Sequence, residues 1–126
     1  MDAISPTVVM LDLPIPPSTN NLFFNIGSGA RRGRVKTVEY QDWIIEAGWL
    51  LKQQRPAPVL GKVVLLIEVA EPDTKRRQDV ANREKAVTDL LVTHGVIEGD
   101  DQRFVREITM RWAPIKGVRV TVRACA

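Results

Sequence analysis

The spacing of apolar and polar residues in the first half of the chain predicts a strand, a helix and a second strand. Residues 7–13 are β-branched and apolar, and three prolines close behind them end the predicted strand. Between Val38 and Gln54 the apolar residues recur every three or four positions, which predicts an amphipathic helix that Pro56 and Pro58 terminate. Residues 59–69 contain a continuous apolar run, which predicts a central strand covered on both faces.

The second half predicts one more helix and two more strands. Residues 79–93 have helical periodicity, and Gly95 follows as a stop signal. Residues 104–112 and 118–122 alternate, which predicts a terminal hairpin joined through Pro114 and Gly117. The glycine- and asparagine-rich segment 18–36 is predicted to be a mobile loop.

Two helices and about four strands in this order predict an α+β fold. We expect a small mixed or antiparallel sheet with both main helices on one of its faces. A length of 126 residues is that of one ordinary domain, so residues 1–126 are expected to form a single unit.

Composition excludes several classes of protein. No run of 18 apolar residues exists, so no membrane-spanning helix is expected, and the acidic N-terminus does not resemble a signal peptide. We therefore expect a cytoplasmic protein. Cys125 is the single cysteine, which excludes an intrachain disulfide or a cysteine-rich zinc site.

Charge is distributed unevenly along the chain. The formal net charge is +3, with Lys+Arg 18 against Asp+Glu 15. Two basic clusters stand out, and acidic residues concentrate between positions 79 and 101. An acidic focus between basic segments is typical of metal-dependent enzymes that act on a phosphate backbone, although solvated surface charge is the plain alternative. The basic clusters are Arg31, Arg32, Arg34 and Lys36, then Lys75, Arg76 and Arg77.

The segment from the second predicted helix to the acidic pair has two interpretations. A helix with a short return is expected to place Asp79 near Asp100, where carboxylate oxygens would suit Mg²⁺ and Lys85 would neutralise charge on a phosphoryl oxygen. The structural interpretation makes Asp79 a helix cap, pairs Lys85 with Asp89, and uses the acidic pair as a turn.

Three sequence motifs resemble one known family. LPIPPSTNN at 13–21, DVANREKAVTDLL at 79–91 and GVIEGDDQ at 95–102 together resemble the RusA family of Holliday junction resolvases, which is typical of bacterial prophages. The resemblance implies a small α+β homodimer that binds four-way DNA junctions. It also implies symmetric nicking of two opposing strands with magnesium, or alternatively manganese.

The resemblance carries functional residues onto this chain. The family pattern D-x-D-N-x-x-K places its first aspartate on Asp79, its asparagine on Asn82 and its lysine on Lys85. Its distal aspartate falls on Asp100, with Asp101 as neighbour. The resemblance thus implies Asp79, Lys85 and Asp100 as catalytic residues, and Asp79, Asp100 and Asp101 as metal ligands.

Ala81 stands where the family pattern has its second aspartate. Alanine supplies no ligand, so we expect this chain to be inactive or weakened as a nuclease while it still binds DNA. Decay of a prophage gene or a deliberate substitution would explain Ala81, and the intact remainder of the motif favours the second.

Residues outside the motif complete the hypothesis. Both basic clusters are expected to hold DNA phosphates, and Asn20 is expected to support the geometry of the site. Phe23 and Phe24 either stack on unpaired bases or pack back on the sheet. Trp43 and Trp49 are expected in the core or a dimer contact, and His94 at the helix end.

Two functions from other classes remain as alternatives. A non-catalytic binder of branched DNA would differ from the nuclease in magnesium-dependent nicking. A basic RNA-binding protein is the second alternative, but it would leave the spacing of the carboxylates and the lysine unexplained. A gel shift in which junction, duplex and RNA compete would distinguish it from a DNA-junction protein.

Overall fold

The structure is a computed structural model, and it describes residues 7–73 and 77–125. Two 3-10 turns, Thr19–Asn21 and Gly29–Arg31, flank the second strand, and a third, Val80–Arg83, precedes the second helix. The strands are β1 (Val8–Leu13), β2 (Phe23–Ile26), β3 (Gly33–Lys36), β4 (Val63–Ala70), β5 (Val105–Ala113) and β6 (Val118–Ala124), and the helices are α1 (Val38–Gln54) and α2 (Glu84–Thr93).

Four of the strands form a mixed sheet in the order β1-β6-β4-β5. β4 pairs antiparallel with β6 and parallel with β5, and α2 lies in the connection between the two parallel strands. The predicted α+β class with a four-stranded sheet is confirmed. The predicted terminal hairpin is wrong, because β4 lies between β5 and β6 and takes the hydrogen bonds that the hairpin would have made.

β4 lies inside the sheet because one of its faces is entirely apolar. Val63, Leu65, Ile67 and Val69 are at most 1% exposed, whereas the alternate residues of the strand are half-buried. The predicted coverage of both faces is therefore wrong. A period of two with one face in the core is the pattern of a sheet with helices on one side.

α1 occupies the predicted range and supplies much of the core. The Thr37 hydroxyl accepts a hydrogen bond from the Tyr40 amide at 3.2 Å and so caps the helix. The Trp43 indole Nε1 donates to the Pro14 carbonyl at 2.9 Å, which ties the helix to the segment after β1. Trp43 is buried as predicted, but Trp49 is 64% exposed and is not a core residue of this chain.

Segment 18–36 is ordered, which corrects the prediction of a mobile loop. β2 and β3 pair antiparallel as a separate two-stranded hairpin. Gly27 has a φ of +73°, and a Cβ built there would lie 2.3 Å from the Arg31 carbonyl oxygen. Glycine is therefore required at this bend of the hairpin.

The second predicted helix begins as a 3-10 turn. Val80–Arg83 forms that turn, and α2 proper starts at Glu84, five residues after the predicted start at Asp79. His94 is the C-cap of α2, where its amide donates to the Leu90 carbonyl at 3.0 Å, in line with the predicted capping role. No helix within residues 7–73 and 77–125 has the length and apolar character to cross a membrane.

Candidate functional site

A row of polar residues runs along one side of the second helical segment. Asp79, Asn82, Lys85 and Asp89 are spaced by three, three and four positions, so they follow one another along one side of the 3-10 turn and α2. Two cavities open along this side, one near each end of the row.

The first cavity, which we call the asparagine cavity, has a volume of about 300 Å³. It lies between the turn after the prolines and the start of the second helical segment. Asp79 lines it together with Asn20 and Asn82, so the structure brings together three residues that the sequence assigned to the site. The full lining is Ser18, Asn20, Asn21, Arg77, Gln78, Asp79, Asn82 and Arg83.

Hydrogen bonds near the asparagine cavity join the turn after the prolines to the second helical segment. The Thr19 hydroxyl donates to the Asn82 carbonyl at 3.0 Å. The Arg83 guanidinium donates to the Pro16 carbonyl and, at 3.0 Å, to Gln78 Oε1. Burial lowers the pKa of Arg83 from its usual value, yet an arginine remains charged at neutral pH.

Asp79 is exposed and holds the N-cap position of the 3-10 turn, but its side chain makes no capping hydrogen bond. This geometry does not support the structural interpretation of Asp79 as a capping side chain. The carboxylate instead lines a cavity whose other walls carry amide and guanidinium groups.

The second cavity, which we call the tyrosine cavity, has a volume of about 350 Å³. It lies between α2, α1 and β2. Asp100 lines it with Asp89 and Lys36, so two carboxylates and an ammonium group border one space. The full lining is Phe23, Lys36, Tyr40, Ile44, Ala86, Asp89, Leu90, Val92, Thr93 and Asp100.

Asp89 connects the lysine of the motif to the tyrosine cavity. Lys85 Nζ lies 3.4 Å from Asp89 Oδ1, an i,i+4 pair with both side chains partly exposed. Burial raises the pKa of Tyr40, and the nearby Asp89 charge raises it further. The pairing of Lys85 with Asp89 is the contact that the structural interpretation of the sequence expected.

The two aspartates of the acidic pair have different surroundings. Asp101 accepts hydrogen bonds from the Arg103 amide at 2.9 Å and from the Arg103 guanidinium at 2.8 Å. These bonds lower the pKa of Asp101 and commit its carboxylate to the turn before β5. Asp100 lines the tyrosine cavity instead, so it is the member of the pair that faces the candidate site.

Asp79 and Asp100 line different cavities, and Lys85 lines neither of the two. Leu22 is 1% exposed, and of its two neighbours in the chain Asn21 lines the asparagine cavity and Phe23 lines the tyrosine cavity.

Within the part of the chain that the structure describes, no three His, Cys, Asp or Glu residues are grouped so as to hold a metal ion. Ala81 is exposed, and its side chain carries no oxygen that could bind a metal. The residues therefore do not fit a metal ion held by three carboxylates of one chain.

The basic residues predicted to contact DNA occupy two places. Arg31 and Arg32 are exposed at the end of the β2–β3 hairpin, and Lys36 reaches the tyrosine cavity. Arg77 lines the asparagine cavity beside Asp79. Lys75 and Arg76 lie outside the described residues.

Sequence reasoning did not assign Asp89 or Tyr40 to the site. The signal for Asp89 was its distance of four positions from Lys85, which places it on the same side of the helix. Tyr40 gave no such signal, because only the packing of α1 against α2 and β2 places its ring beside Asp89 and Asp100.

A polar helix side with separate carboxylates, beside a basic hairpin, is typical of proteins that act on nucleic acids. The chain belongs to the RusA family, because residues 14–123 match the family model described as endodeoxyribonuclease RusA. The resemblance drawn from the three motifs is thereby confirmed. The family comprises endonucleases that resolve Holliday junctions. No curated protein matches the chain.

Proposed function

We propose that the protein binds four-way and related branched DNA as an endodeoxyribonuclease of the RusA type, and that this chain cuts weakly because of Ala81. The observation that carries the proposal is the family match over residues 14–123. The polar row on the second helical segment and the basic hairpin supply groups of the right chemistry for a phosphate backbone.

The proposed roles follow the surroundings of each residue. Asp79 and Asp100 are the carboxylates proposed for the reaction, and Lys85 is the cation proposed to offset phosphate charge. Asp101 is proposed only as a support, because Arg103 already occupies its carboxylate. Asn20 and Asn82 are proposed to fix the wall around Asp79. The metal proposed for the family reaction is Mg²⁺, with Mn²⁺ as a substitute.

Ala81 is proposed to limit cleavage and not DNA binding. Its side chain is exposed, so an aspartate can be introduced there without displacing core residues. The substitution would add a carboxylate between Asp79 and Lys85 in the chain. Misplacing a reacting group by a small distance costs about a hundredfold in rate, so we expect a gain of at least that order on restoration.

The test compares the chain with Ala81→Asp on a synthetic four-way junction with Mg²⁺. We expect Ala81→Asp to nick the junction symmetrically at least about a hundredfold faster, whereas Ala81→Asn, which has nearly the same shape without the charge, stays slow. Asp79→Asn in the Ala81→Asp background should abolish the gain. Equal and robust cutting by the chain and by Ala81→Asp would show that Ala81 does not limit the reaction.

A homodimer is proposed because the substrate has matching symmetry. A four-way junction is two-fold symmetric, so two copies related by a two-fold axis present equivalent sites to opposing strands. Light scattering of the chain with and without the junction tests this, and a complex with one copy per junction contradicts it.

The second candidate is a non-catalytic binder of branched DNA. The observation that favours it is the missing group of three carboxylates among the described residues. Selective junction binding without cutting by either the chain or Ala81→Asp would support this candidate over the nuclease.

A further inference from the structure

The β2–β3 hairpin has two faces of different character. Residues paired across the hairpin share a face, so Phe23 and Asn25 lie with Lys36 and Arg34, whereas Phe24 lies with Val35 on the opposite face. Ile26, two positions after Phe24 on the same strand, also belongs to that opposite face.

On the face that carries Phe23, the Phe23 ring packs against the rest of the protein. The Phe23 and Tyr40 rings meet edge to face, with centroids 5.6 Å apart. The Arg34 guanidinium carbon lies 4.5 Å from the centre of the Phe23 ring. Phe23 therefore packs back onto the domain, as one of the two sequence interpretations expected.

The opposite face exposes its apolar side chains. Phe24 is 49% exposed and Ile26 is 47% exposed. Neither belongs to the core cluster nor to the partly buried residues packed against it. An aromatic ring held on a strand and left open to solvent is a surface suited to binding a flat apolar partner.

The charge around Phe24 restricts the chemistry of that partner. Between Leu13 and Val38 the sequence contains four basic residues and no carboxylate. A shallow cavity of about 290 Å³ lies at the bend of the same hairpin, and its lining is Asn25, Ile26, Gly27, Arg32, Gly33 and Arg34. A hairpin that carries both an exposed apolar ring and exposed arginines complements a base and its adjoining phosphates.

We propose that the Phe24 ring stacks on an unpaired base at the branch point of junction DNA, with Arg31 and Arg32 on the neighbouring phosphates. The inference rests on the proposed function and deepens it. In a continuous duplex each base face is covered by the next base pair, so only a branch point or another unstacked site offers a face to the ring. Phe24 is thus a selectivity residue, which separates junctions from linear duplex.

The experiment measures binding of Phe24→Ala without metal, so that no strand is cut. The probes are a four-way junction with 2-aminopurine at the branch point and a linear duplex of the same sequence. We expect Phe24→Ala to lose junction affinity by about 5- to 150-fold, the range for one lost base–aromatic stack, and to lose the quenching of 2-aminopurine. Duplex affinity should change less than about twofold, because the duplex offers no stack.

Two further variants control for folding and for general aromatic exposure. Phe24→Trp keeps a stacking ring and should retain both junction affinity and quenching. Trp49→Ala removes an aromatic side chain that is 64% exposed on α1, outside the basic segment, and should leave binding unchanged. Loss of affinity by Phe24→Trp equal to that of Phe24→Ala would overturn the stacking proposal.

The remaining outcomes separate this inference from the proposed function. Equal losses for junction and duplex, or no loss for either, overturn the inference while the chain still binds junctions. A changed molecular mass of Phe24→Ala in light scattering also overturns it, because the exposed face would then be a contact between copies of the chain. Failure of the unmodified chain to bind the junction overturns the proposed function together with the inference.

Discussion

The inner face of the four-stranded sheet and the β2–β3 hairpin are opposites in burial and charge. The inner residues of β4 and β6 are buried, apolar and packed against the helices. The hairpin is largely exposed, carries arginines and has no carboxylate. We therefore expect the stability of the fold and the proposed recognition of a polyanion to depend on different residues, so that substitutions can change one without the other.

The two regions also differ in what fixes the geometry of their strands. Burial fixes the register of β4, because a shift of one residue would turn its apolar face away from the core. The hairpin has little burial to define it, and its bend depends on the backbone freedom of Gly27.

The largest effect on stability is expected from truncation of a buried side chain in the four-stranded sheet. Ile67 is 0% exposed at the centre of the core, so Ile67→Ala should lower the free energy of unfolding by about 2–5 kcal/mol. Urea denaturation measures the change. Ile45→Ala, on a side chain that is 72% exposed, is the matched control and should change stability by less than about 0.5 kcal/mol. Similar losses for both variants would contradict the expectation that stability depends on the buried residues of the sheet.

The next effect is expected from charge reversal on the hairpin. Arg31→Glu combined with Arg32→Glu should weaken junction binding at low salt and reduce the slope of log affinity against log salt by about two, one for each lost phosphate contact. Stability to urea should stay the same, because both residues are exposed.

The charge-matched control for that double variant is Arg106→Glu with Arg123→Glu, on exposed residues of the sheet strands. It should keep most of the salt slope. An equal reduction by both double variants would show that DNA responds to net charge alone and not to the hairpin.

The smallest effect is expected from His94 at the end of α2. Burial lowers the pKa of His94, and the charge of Lys52 lowers it further. In the unfolded chain His94 takes up a proton near pH 6.5, whereas in the folded chain it does so only at lower pH. The free energy of unfolding should therefore fall as pH drops through about 6.5. His94→Asn should flatten this dependence between pH 7.5 and 5.5 in urea titrations. If the pH dependence of the free energy of unfolding is unchanged in His94→Asn, other groups are responsible for it.

The sequence was sufficient for elements with strong local signals. α1 was predicted with its observed bounds, because the helical periodicity and the prolines beyond it are local signals. The pairing of β5 with β4 was missed, because alternation marks a strand but does not say which strand lies beside it. The hairpin was missed because its residues are mostly exposed and show no burial pattern.

The candidate site was predicted in parts. Asn20, Asn82 and Asp79, which the sequence assigned to the site, line one cavity because the motifs that carry them pack together. It did not show that Asp101 is engaged by Arg103 whereas Asp100 lines a cavity, since two adjacent carboxylates are indistinguishable until the turn that holds them is known.

Leu22 is a buried residue whose two chain neighbours line different cavities. It is anchored in the interior, yet the backbone on either side of it borders both cavities and continues directly into β2. Residues 21–23 therefore join the hairpin to both cavities through one buried side chain, so a substitution of Leu22 is expected to disturb the linings that contain Asp79 and Asp100 together.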